Sequence, residues 1–337
     1  MENERLKVAV VGSGNMGANH ARVYAGMPEC TLVAVVDPSP IADTIAARHG
    51  AIHLRSSEEL YRNHAVDAVS IAVPTPLHAA EVERALSSGC HVLVEKPIAG
   101  SVEDAELMIK LATEADRVLT VGHIERFNPV VRALRDLVAK GALGTVTSMV
   151  MRRVGGFPAI EPATDVIMDL AIHDLDLCGY LLGGARSTVL GTQVSRVRHS
   201  TYPDSASILL ENSGAACFVQ ANWVTPIKVR TVTVTGSEGH VEANYVGQRL
   251  DLFQNSKADA ISDFDRFTSN FAFNTVKTLQ LPLQEPLQLE LTAFLQAVRS
   301  GRQDIAEESS LMRPEEAVEA LRLALSATEL ASTAVRH

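Results

Sequence analysis

A glycine-rich segment close to the start of the sequence restricts the possible folds more than any other stretch. It follows a β-branched run at residues 7–11 and precedes a helical pattern at 18–27, and a second apolar run at 31–36 ends at Asp37. In a strand–turn–helix–strand unit of this kind, the first glycine allows the tight turn and the second lets the backbone approach a pyrophosphate. The third glycine lets the helix pack closely on the strand. The residues predicted to form this dinucleotide-binding turn are Gly12, Ser13, Gly14, Asn15, Met16 and Gly17.

The acid that ends the second strand indicates which dinucleotide is bound. Asp37 lies 20 residues after Gly17, where a carboxylate accepts hydrogen bonds from the adenosine ribose. Residues 38–41 contain no lysine or arginine, so a 2′-phosphate beside Asp37 would meet repulsion without a compensating cation. We therefore expect NAD as the cofactor rather than NADP. The alternative is that Asp37 only caps the following turn through Ser39.

Apolar runs continue to alternate with helical patterns as far as residue 122. Strands are predicted at 51–54, 68–73, 91–95 and 118–122, and helices at 41–49, 57–63, 76–87 and 102–115. Apolar strands separated by helices are typical of a parallel sheet covered on both faces. Residues 1–122 are therefore predicted to form a Rossmann domain with a doubly wound parallel sheet, the first part of an α/β protein.

Ligands of such sheets bind beyond the carboxyl ends of the strands. Pro74, Thr75 and His78 follow one predicted strand, and Glu95 and Lys96 lie at the carboxyl end of the next, so we expect all five on the cofactor side. An ammonium at Lys96 can stabilise an alkoxide that develops on a substrate, although a solvated turn residue is the alternative. For His78 a structural role at the start of a helix is the simpler interpretation.

From residue 123 onwards the pattern changes to that of a second domain, predicted to span residues 123–337. A helix at 130–140 and a strand at 144–153 lead to a series of short strands separated by turn residues rather than by long helices. This pattern predicts an α+β domain with a large, mostly antiparallel open sheet. Helices are predicted at 287–299 and 314–334, and residues 257–283 have no clear pattern. Because one face of such a sheet needs covering, we expect a homo-oligomer, a tetramer or a dimer.

A segment before the strands of the second domain combines a histidine with carboxylates. If residues 165–176 are helical, then Asp169, His173 and Asp176 lie on one face, at positions i, i+4 and i+7. A histidine beside a carboxylate is suited to moving a proton near neutral pH. The alternative is a capped core helix whose polar edge faces water.

Composition excludes several classes of partner for this chain of 337 residues. Its net charge of −10 disfavours nucleic acid and anionic membranes as main partners. No apolar stretch approaches the length of about 18 residues needed to span a bilayer, and no signal-peptide pattern is present. Four scattered cysteines without a C-x-x-C pair are typical of reduced thiols in a cytoplasmic protein. No metal site is indicated.

Three motifs together resemble the Gfo/Idh/MocA oxidoreductases, which are NAD(P)-dependent sugar and cyclitol dehydrogenases. They are the glycine turn with its preceding strand at 10–17, the sequence Val94-Glu95-Lys96-Pro97, and Asp169 with His173 four residues later. The resemblance extends to residues 285–291 and the last helix. It implies that Lys96 and His173 are catalytic, that Asp169 assists them, and that the Lys96–Pro97 bond is cis.

Within this family, residues 121–129 resemble the branch that acts on UDP-N-acetylhexosamines, in particular by oxidising C3 of UDP-N-acetylglucosamine. The pyrophosphate of such a substrate needs cations, and Arg126, Arg152, Arg153 and Lys228 are candidates, although each can be an ordinary surface cation. Alternative functions are dehydrogenation of a free cyclitol or sugar such as myo-inositol, and a non-enzymatic sensor, which should lack the catalytic residues. The residues expected to bind substrate are Lys96, Arg126, Asn128, Arg152, Asp169 and His173.

Overall fold

The computed structural model describes residues 5–158, 162, 164–184, 186–198, 201–254, 275–301 and 310–334. Two compact units make up the chain. The first contains Met1–Phe127 and Glu285–Arg322, and the second contains Asn128–Gln284 and Leu323–His337. Among the described residues, no helix is both long and apolar enough to cross a bilayer.

The first unit is built on a six-stranded parallel sheet. Its strands are β1 (Leu6–Val11), β2 (Cys30–Val36), β3 (Ile52–Leu54), β4 (Ala68–Ile71), β5 (His91–Glu95) and β6 (Leu119–Gly122). Across the sheet the strands lie in the order β3-β2-β1-β4-β5-β6. The chain adds strands on one side of β1 up to β3 and then on the other side from β4 to β6, so the strand order reverses between β1 and β4. This is the strand order of a Rossmann fold, so the sequence prediction is confirmed. The reversal creates a crevice at the carboxyl ends of β1 and β4, where the glycine turn follows β1.

Helices connect these strands, as the local sequence predicts. They are α1 (Asn15–Gly26), α2 (Ile41–Arg48), α3 (Ser57–Asn63), α4 (His78–Ser87) and α5 (Val102–Glu114). Serine side chains define two of the helix starts, since Ser56 Oγ accepts from the N–H of Glu59 and Ser101 Oγ from that of Asp104. Such caps satisfy N–H groups that have no partner inside the helix.

The second unit contains an eight-stranded sheet with helices on one face. Its elements are α6 (Pro129–Ala139), β7 (Val146–Val154), α7 (Ile172–Leu181), β8 (Ser187–Ser195), β9 (Ser205–Asn212), β10 (Ala215–Asn222), β11 (Val229–Gly236), β12 (Gly239–Asn244), β13 (Arg249–Gln254) and β14 (Thr275–Gln280). The strand order is β14-β13-β12-β11-β7-β10-β9-β8. Among the described strands of this second sheet, only β7 and β10 pair in parallel, so the mostly antiparallel sheet is confirmed. β14 lies in the segment 257–283 that the sequence pattern left unassigned, and residues 255–274 lie outside the described residues.

The two C-terminal helices, α8 (Pro286–Ser300) and α9 (Pro314–Ala334), change the predicted domain division. Leu287, Leu291 and Phe294 of α8 are buried in the same core as Tyr24 and Phe127. The single boundary predicted between residues 122 and 123 is therefore wrong for the C-terminal part, because residues 285–322 belong to the first unit. The physical reason is the apolar stripe of α8, which is buried in the core of the first unit and not in that of the second.

Candidate active site

The glycine turn has the geometry that a pyrophosphate requires. Gly12 has φ +100°, and a Cβ placed on Gly17 would lie 1.9 Å from the carbonyl oxygen of Gly12. Only glycine therefore permits this close approach of α1 to the turn. A Cβ on Gly14 would meet nothing within 4 Å, so open space lies at the first turn of α1, which Asn15 and Met16 begin. N–H groups at a helix N-terminus bind phosphate in this position, and the residues fit a dinucleotide.

Asp37 connects this turn to the end of β2. Its Oδ2 accepts from the N–H of Ser13 at 2.7 Å, and its Oδ1 accepts from the N–H of Ser39 at 2.8 Å. The turn-capping contact considered as an alternative is therefore present. Each carboxylate oxygen has a second lone pair, so a contact with the ribose stays a prediction.

His78 has a structural role, which contradicts its predicted contact with the cofactor. The ring is buried at the start of α4, with Nε2 2.9 Å from the carbonyl oxygen of Val73. Its Nδ1 lies 3.0 Å from the carbonyl oxygen of Pro97 and 3.2 Å from that of Ile98. Burial lowers the pKa of His78, which favours the neutral ring. Both nitrogens face backbone carbonyls, but a neutral ring carries one N–H and so donates from one nitrogen only. The ring packs between the loop after β4 and the loop after β5.

Pro74 and Thr75, the other residues predicted to follow β4, are more exposed than His78. Pro74 is exposed and Thr75 half-buried. Thr75 begins a 3₁₀ turn, Thr75–Leu77, that runs directly into α4. Both residues follow the carboxyl end of β4, as predicted, and their contact with the cofactor stays a prediction.

Glu95 supports the backbone of Lys96 from inside the first unit. Its Oε1 lies 3.0 Å from Nε2 of the buried His20, and its Oε2 accepts from the N–H of Lys96 at 3.3 Å. A Cβ on Gly122 would lie 2.9 Å from Glu95 Oε1, so the carboxylate packs on the backbone of β6. Burial opposes ionisation of Glu95, but the hydrogen bond and charge of His20 and the charge of Lys96 outweigh burial and lower its pKa.

This arrangement corrects one prediction and confirms another. The side chain of Glu95 is buried among residues of its own unit, so a direct contact between this carboxylate and the cofactor is not supported. The Lys96–Pro97 bond is cis, as the family resemblance implied, and the Lys96 side chain is half-buried. His20 was missed in the sequence, although it lies three residues after Gly17 and so on the same face of α1.

Glu290 of α8 was also missed. It is 1% exposed, and neither of its carboxyl oxygens has a hydrogen-bond partner within the described part of the chain. Burial, followed by the charge of Glu95, raises its pKa well above the ordinary value. Such an environment favours the neutral form of the carboxyl group over the carboxylate. The signal was present in the sequence, because Glu290 interrupts the apolar stripe of Leu287, Leu291 and Phe294.

In the second unit, Asp169 and His173 lie on one continuous helical segment. A π turn, Ile167–Ala171, runs directly into α7, and Asp165 caps its start by accepting from the N–H groups of Ile167 and Met168 through Oδ1. Single π turns within helices often occur at functional sites. Asp169 and His173 are both half-buried, which leaves them accessible to small molecules.

Asp176 does not belong to this accessible edge, which corrects the prediction of three polar groups on one face. The residue is buried because α7 packs against β7 and β10. Asp174, which the sequence did not single out, accepts two hydrogen bonds from Arg153, both 2.9 Å long. Both side chains of this pair are buried. The pair connects α7 to β7 immediately next to His173.

Two residues predicted to bind substrate instead support the fold. Arg126 is buried, and its Nη1 lies 2.7 Å from Oε2 of Glu316. Asn128 is buried as the cap of α6, where its Oδ1 accepts from the N–H of Val130 and its Nδ2 donates to the carbonyl oxygen of Tyr245. Both polar groups are used inside their own units, which argues against the predicted substrate contacts of Arg126 and Asn128.

Two neighbouring arginines on β7, Arg152 and Arg153, were candidates for binding the pyrophosphate, and they lie on opposite faces of the sheet. Alternation along a strand places neighbouring side chains on opposite faces. Arg153 points to the face covered by α7, where it is paired with Asp174, and Arg152 lies exposed on the opposite face with Nε 3.2 Å from Gln220 Oε1. Arg153 is thus engaged inside its own unit, whereas a contact between the exposed Arg152 and the substrate stays a prediction. Lys228 is exposed, and its contact with the substrate pyrophosphate stays a prediction.

Two family models match this chain. One is described as an oxidoreductase family with an NAD-binding Rossmann fold and matches residues 6–123. The other is described as a Gfo/Idh/MocA C-terminal domain and matches residues 131–242. The chain belongs to the Gfo/Idh/MocA oxidoreductase family. It is thus an NAD-dependent oxidoreductase, its first unit carries the NAD-binding fold, and the enzyme prediction is confirmed over that of a non-enzymatic sensor.

Individual relatives of this family include enzymes with different substrates. The chain is 30% identical to UDP-N-acetylglucosamine 3-dehydrogenase of Acidithiobacillus ferrooxidans, over 74% of this chain and 77% of that protein. It is 27% identical to an NAD-dependent scyllo-inositol 2-dehydrogenase of Bacillus subtilis, over 90% of this chain and 89% of the relative. The solved structure of the Acidithiobacillus enzyme has a TM-score of 0.82 and 25% identity, covering 97% of this chain and 98% of that one.

Proposed function

We propose that this oxidoreductase oxidises the C3 hydroxyl of UDP-N-acetylglucosamine to a ketone, with NAD as the hydride acceptor. The observation that carries the proposal is the similarity to a UDP-N-acetylglucosamine 3-dehydrogenase both in sequence, at 30% identity, and in fold, at a TM-score of 0.82. The second candidate is oxidation of a free cyclitol, supported by the longer but weaker match to scyllo-inositol 2-dehydrogenase.

In the proposed reaction, His173 acts as the general base and removes the proton of the substrate hydroxyl. The ammonium of Lys96 stabilises the negative charge that develops on that oxygen. Asp169, one turn before His173, orients the ring and stabilises its protonated form. NAD, when bound at the glycine turn, accepts the hydride that leaves the carbinol carbon as the carbonyl forms. The base, the cation and the orienting carboxylate are thus supplied by residues of this chain.

A panel of substrates tests this proposal. The purified protein is mixed with NAD and either UDP-N-acetylglucosamine, free N-acetylglucosamine or myo-inositol, and NADH is followed by absorbance. We expect kcat/KM for the nucleotide sugar to exceed both others by at least about 10-fold, since each strong polar contact to the nucleotide contributes about 1.4 kcal/mol or more. Turnover of myo-inositol without turnover of the nucleotide sugar would contradict the proposal and favour the second candidate.

We further propose that the enzyme is a homo-oligomer, a tetramer or a dimer, that associates through the face of the eight-stranded sheet opposite α7. Val150, Phe218 and Leu209 lie side by side on neighbouring strands of this face, and all three are exposed. An apolar row of this kind is typical of a surface that another chain covers. Light scattering at micromolar concentration should give a multiple of the mass of one chain, and Phe218→Glu should reduce it. A single-chain mass for the unmodified protein would contradict the proposal.

A further inference from the structure

The second unit contains a cavity of about 440 Å³ next to the segment that carries Asp169 and His173. Residues from three parts of the unit line it, among them Asp165, Ile167, Arg196, Tyr202, Thr328 and Ser332. The volume falls within the range of roughly 300–1,000 Å³ that is usual for small-molecule sites. We propose that this cavity binds the nucleoside diphosphate part of the substrate, with Arg196 as the cation for the diphosphate. The inference rests on the proposed function and specifies where its nucleotide is recognised.

The position of the cavity along the helical segment agrees with this role. Asp165 and Ile167 line the cavity, and the carbonyl oxygen of Asp165 accepts from the N–H of Asp169 at 3.1 Å. His173 follows one turn later. With a rise of about 1.5 Å per residue, the cavity lies roughly 6–12 Å along the segment from Asp169 and His173. A ligand whose sugar reaches these two residues is thus close enough for the group attached to that sugar to enter the cavity.

The charges at the cavity favour an anion. Arg196 is the cation among the described lining residues. Asp165 is the single acid there, but its Oδ1 accepts two backbone N–H groups, and burial raises its pKa, which weakens its negative character. The hydroxyl groups of Thr328 and Ser332 and the ring of Tyr202 offer hydrogen bonds and an aromatic surface. An arginine with hydroxyl and aromatic neighbours suits a phosphate linked to a ribose and a base.

The backbone that presents Arg196 is fixed by a buried acid. Asp204 is 0% exposed, and its carboxylate accepts from the N–H groups of Val197 and Arg198 at 2.6–2.9 Å. The N–H of Asp204 in turn donates to the carbonyl oxygen of Ser195 at 3.0 Å. The residues on both sides of Arg196 are thereby held in place. A binding residue on a backbone held in this way loses less conformational entropy when its ligand arrives.

The test compares two exposed arginines of the same loop. Arg196 lines the cavity, whereas Arg198 does not appear among its lining residues, so Arg198→Gln is the matched control for Arg196→Gln. Loss of a charged hydrogen bond should raise KM for UDP-N-acetylglucosamine, and Kd for UDP measured by calorimetry, by roughly 10- to 100-fold in Arg196→Gln. The loss is expected in KM rather than in kcat, and Arg196→Lys should recover part of it. Arg198→Gln should change either constant by less than about 3-fold, within the small effects of exposed charges.

Several outcomes would overturn the inference, and they are distinguishable from failure of the proposed function. Equal effects of Arg196→Gln and Arg198→Gln, or a loss of kcat with KM unchanged, would contradict binding at the cavity while the wild-type enzyme still turned over the nucleotide sugar. If the wild-type enzyme neither bound UDP nor oxidised UDP-N-acetylglucosamine, the proposed function would fail and the inference with it. Since the glycine turn lies in the other unit, Kd for NAD should match that of the wild type in each variant, which verifies that the variants are folded.

Discussion

His173→Ala is expected to lower kcat for oxidation of the substrate hydroxyl by about 10²- to 10⁴-fold, the usual contribution of a positioned general base. The half-buried ring of His173 follows Asp169 by one helical turn, so its removal takes away the proton acceptor but leaves the nucleotide contacts in place. KM should therefore change much less than kcat. Lys96→Ala is expected to lose activity in the same range, because an unstabilised alkoxide raises the barrier by several kcal/mol.

A histidine on another element of the same unit provides the control for this experiment. His240 is half-buried on β12, where its Nδ1 lies 2.8 Å from Thr235 Oγ1, and it takes no part in the proposed reaction. His240→Ala should retain kcat within a factor of about 3, as expected away from the reacting groups. If His173→Ala stayed within a few-fold of the wild type, the role of His173 as general base would be wrong.

The second large effect concerns Glu290, whose replacement by glutamine should change how stability depends on pH. Burial and the charge of Glu95 raise the pKa of Glu290 in the folded protein well above the ordinary value of 4.5. Above about pH 4.5 the folded protein therefore holds a proton that the unfolded chain has released. Because the folded state binds one more proton than the unfolded state, the free energy of unfolding falls as pH rises, by up to about 1.4 kcal/mol per pH unit. The fall ends when pH reaches the pKa of Glu290 in the folded protein.

Glutamine at position 290 does not titrate, so it removes this dependence. We expect the free energy of unfolding of Glu290→Gln, relative to the wild type, to increase as pH rises above about 4.5, up to the pKa of Glu290 in the folded protein. Urea unfolding followed by circular dichroism measures the difference at each pH. Glu290→Met should show the same slope with a different offset, because it also removes the titrating group but packs differently. A difference that did not vary with pH would show that Glu290 has the same pKa in the folded and unfolded states.

The sequence alone determined the parts of the fold that depend on residues close together in the sequence. The glycine turn, the apolar runs and the helix starts at Ser56 and Ser101 follow from local backbone sterics, side-chain periodicity and capping. The parallel sheet of the first unit and the mostly antiparallel sheet of the second were therefore predictable. The same holds for the positions of Lys96 at the end of β5 and of Asp169 and His173 on one helical segment. These features require no knowledge of what packs against them.

Only the tertiary structure decided which polar side chains remain available for chemistry. Arg153 pairs with Asp174, 21 residues away, and Arg126 pairs with Glu316, 190 residues away. No local pattern contains such distant partners. The register of β7 decides that Arg152, and not Arg153, faces away from α7. A buried charge must find a partner or lose its charge, so the partner that the fold supplies determines its role. Arg126 and Arg153 have such partners, whereas Glu290 has none among the described residues, and this difference arises from the packing of residues far apart in the sequence.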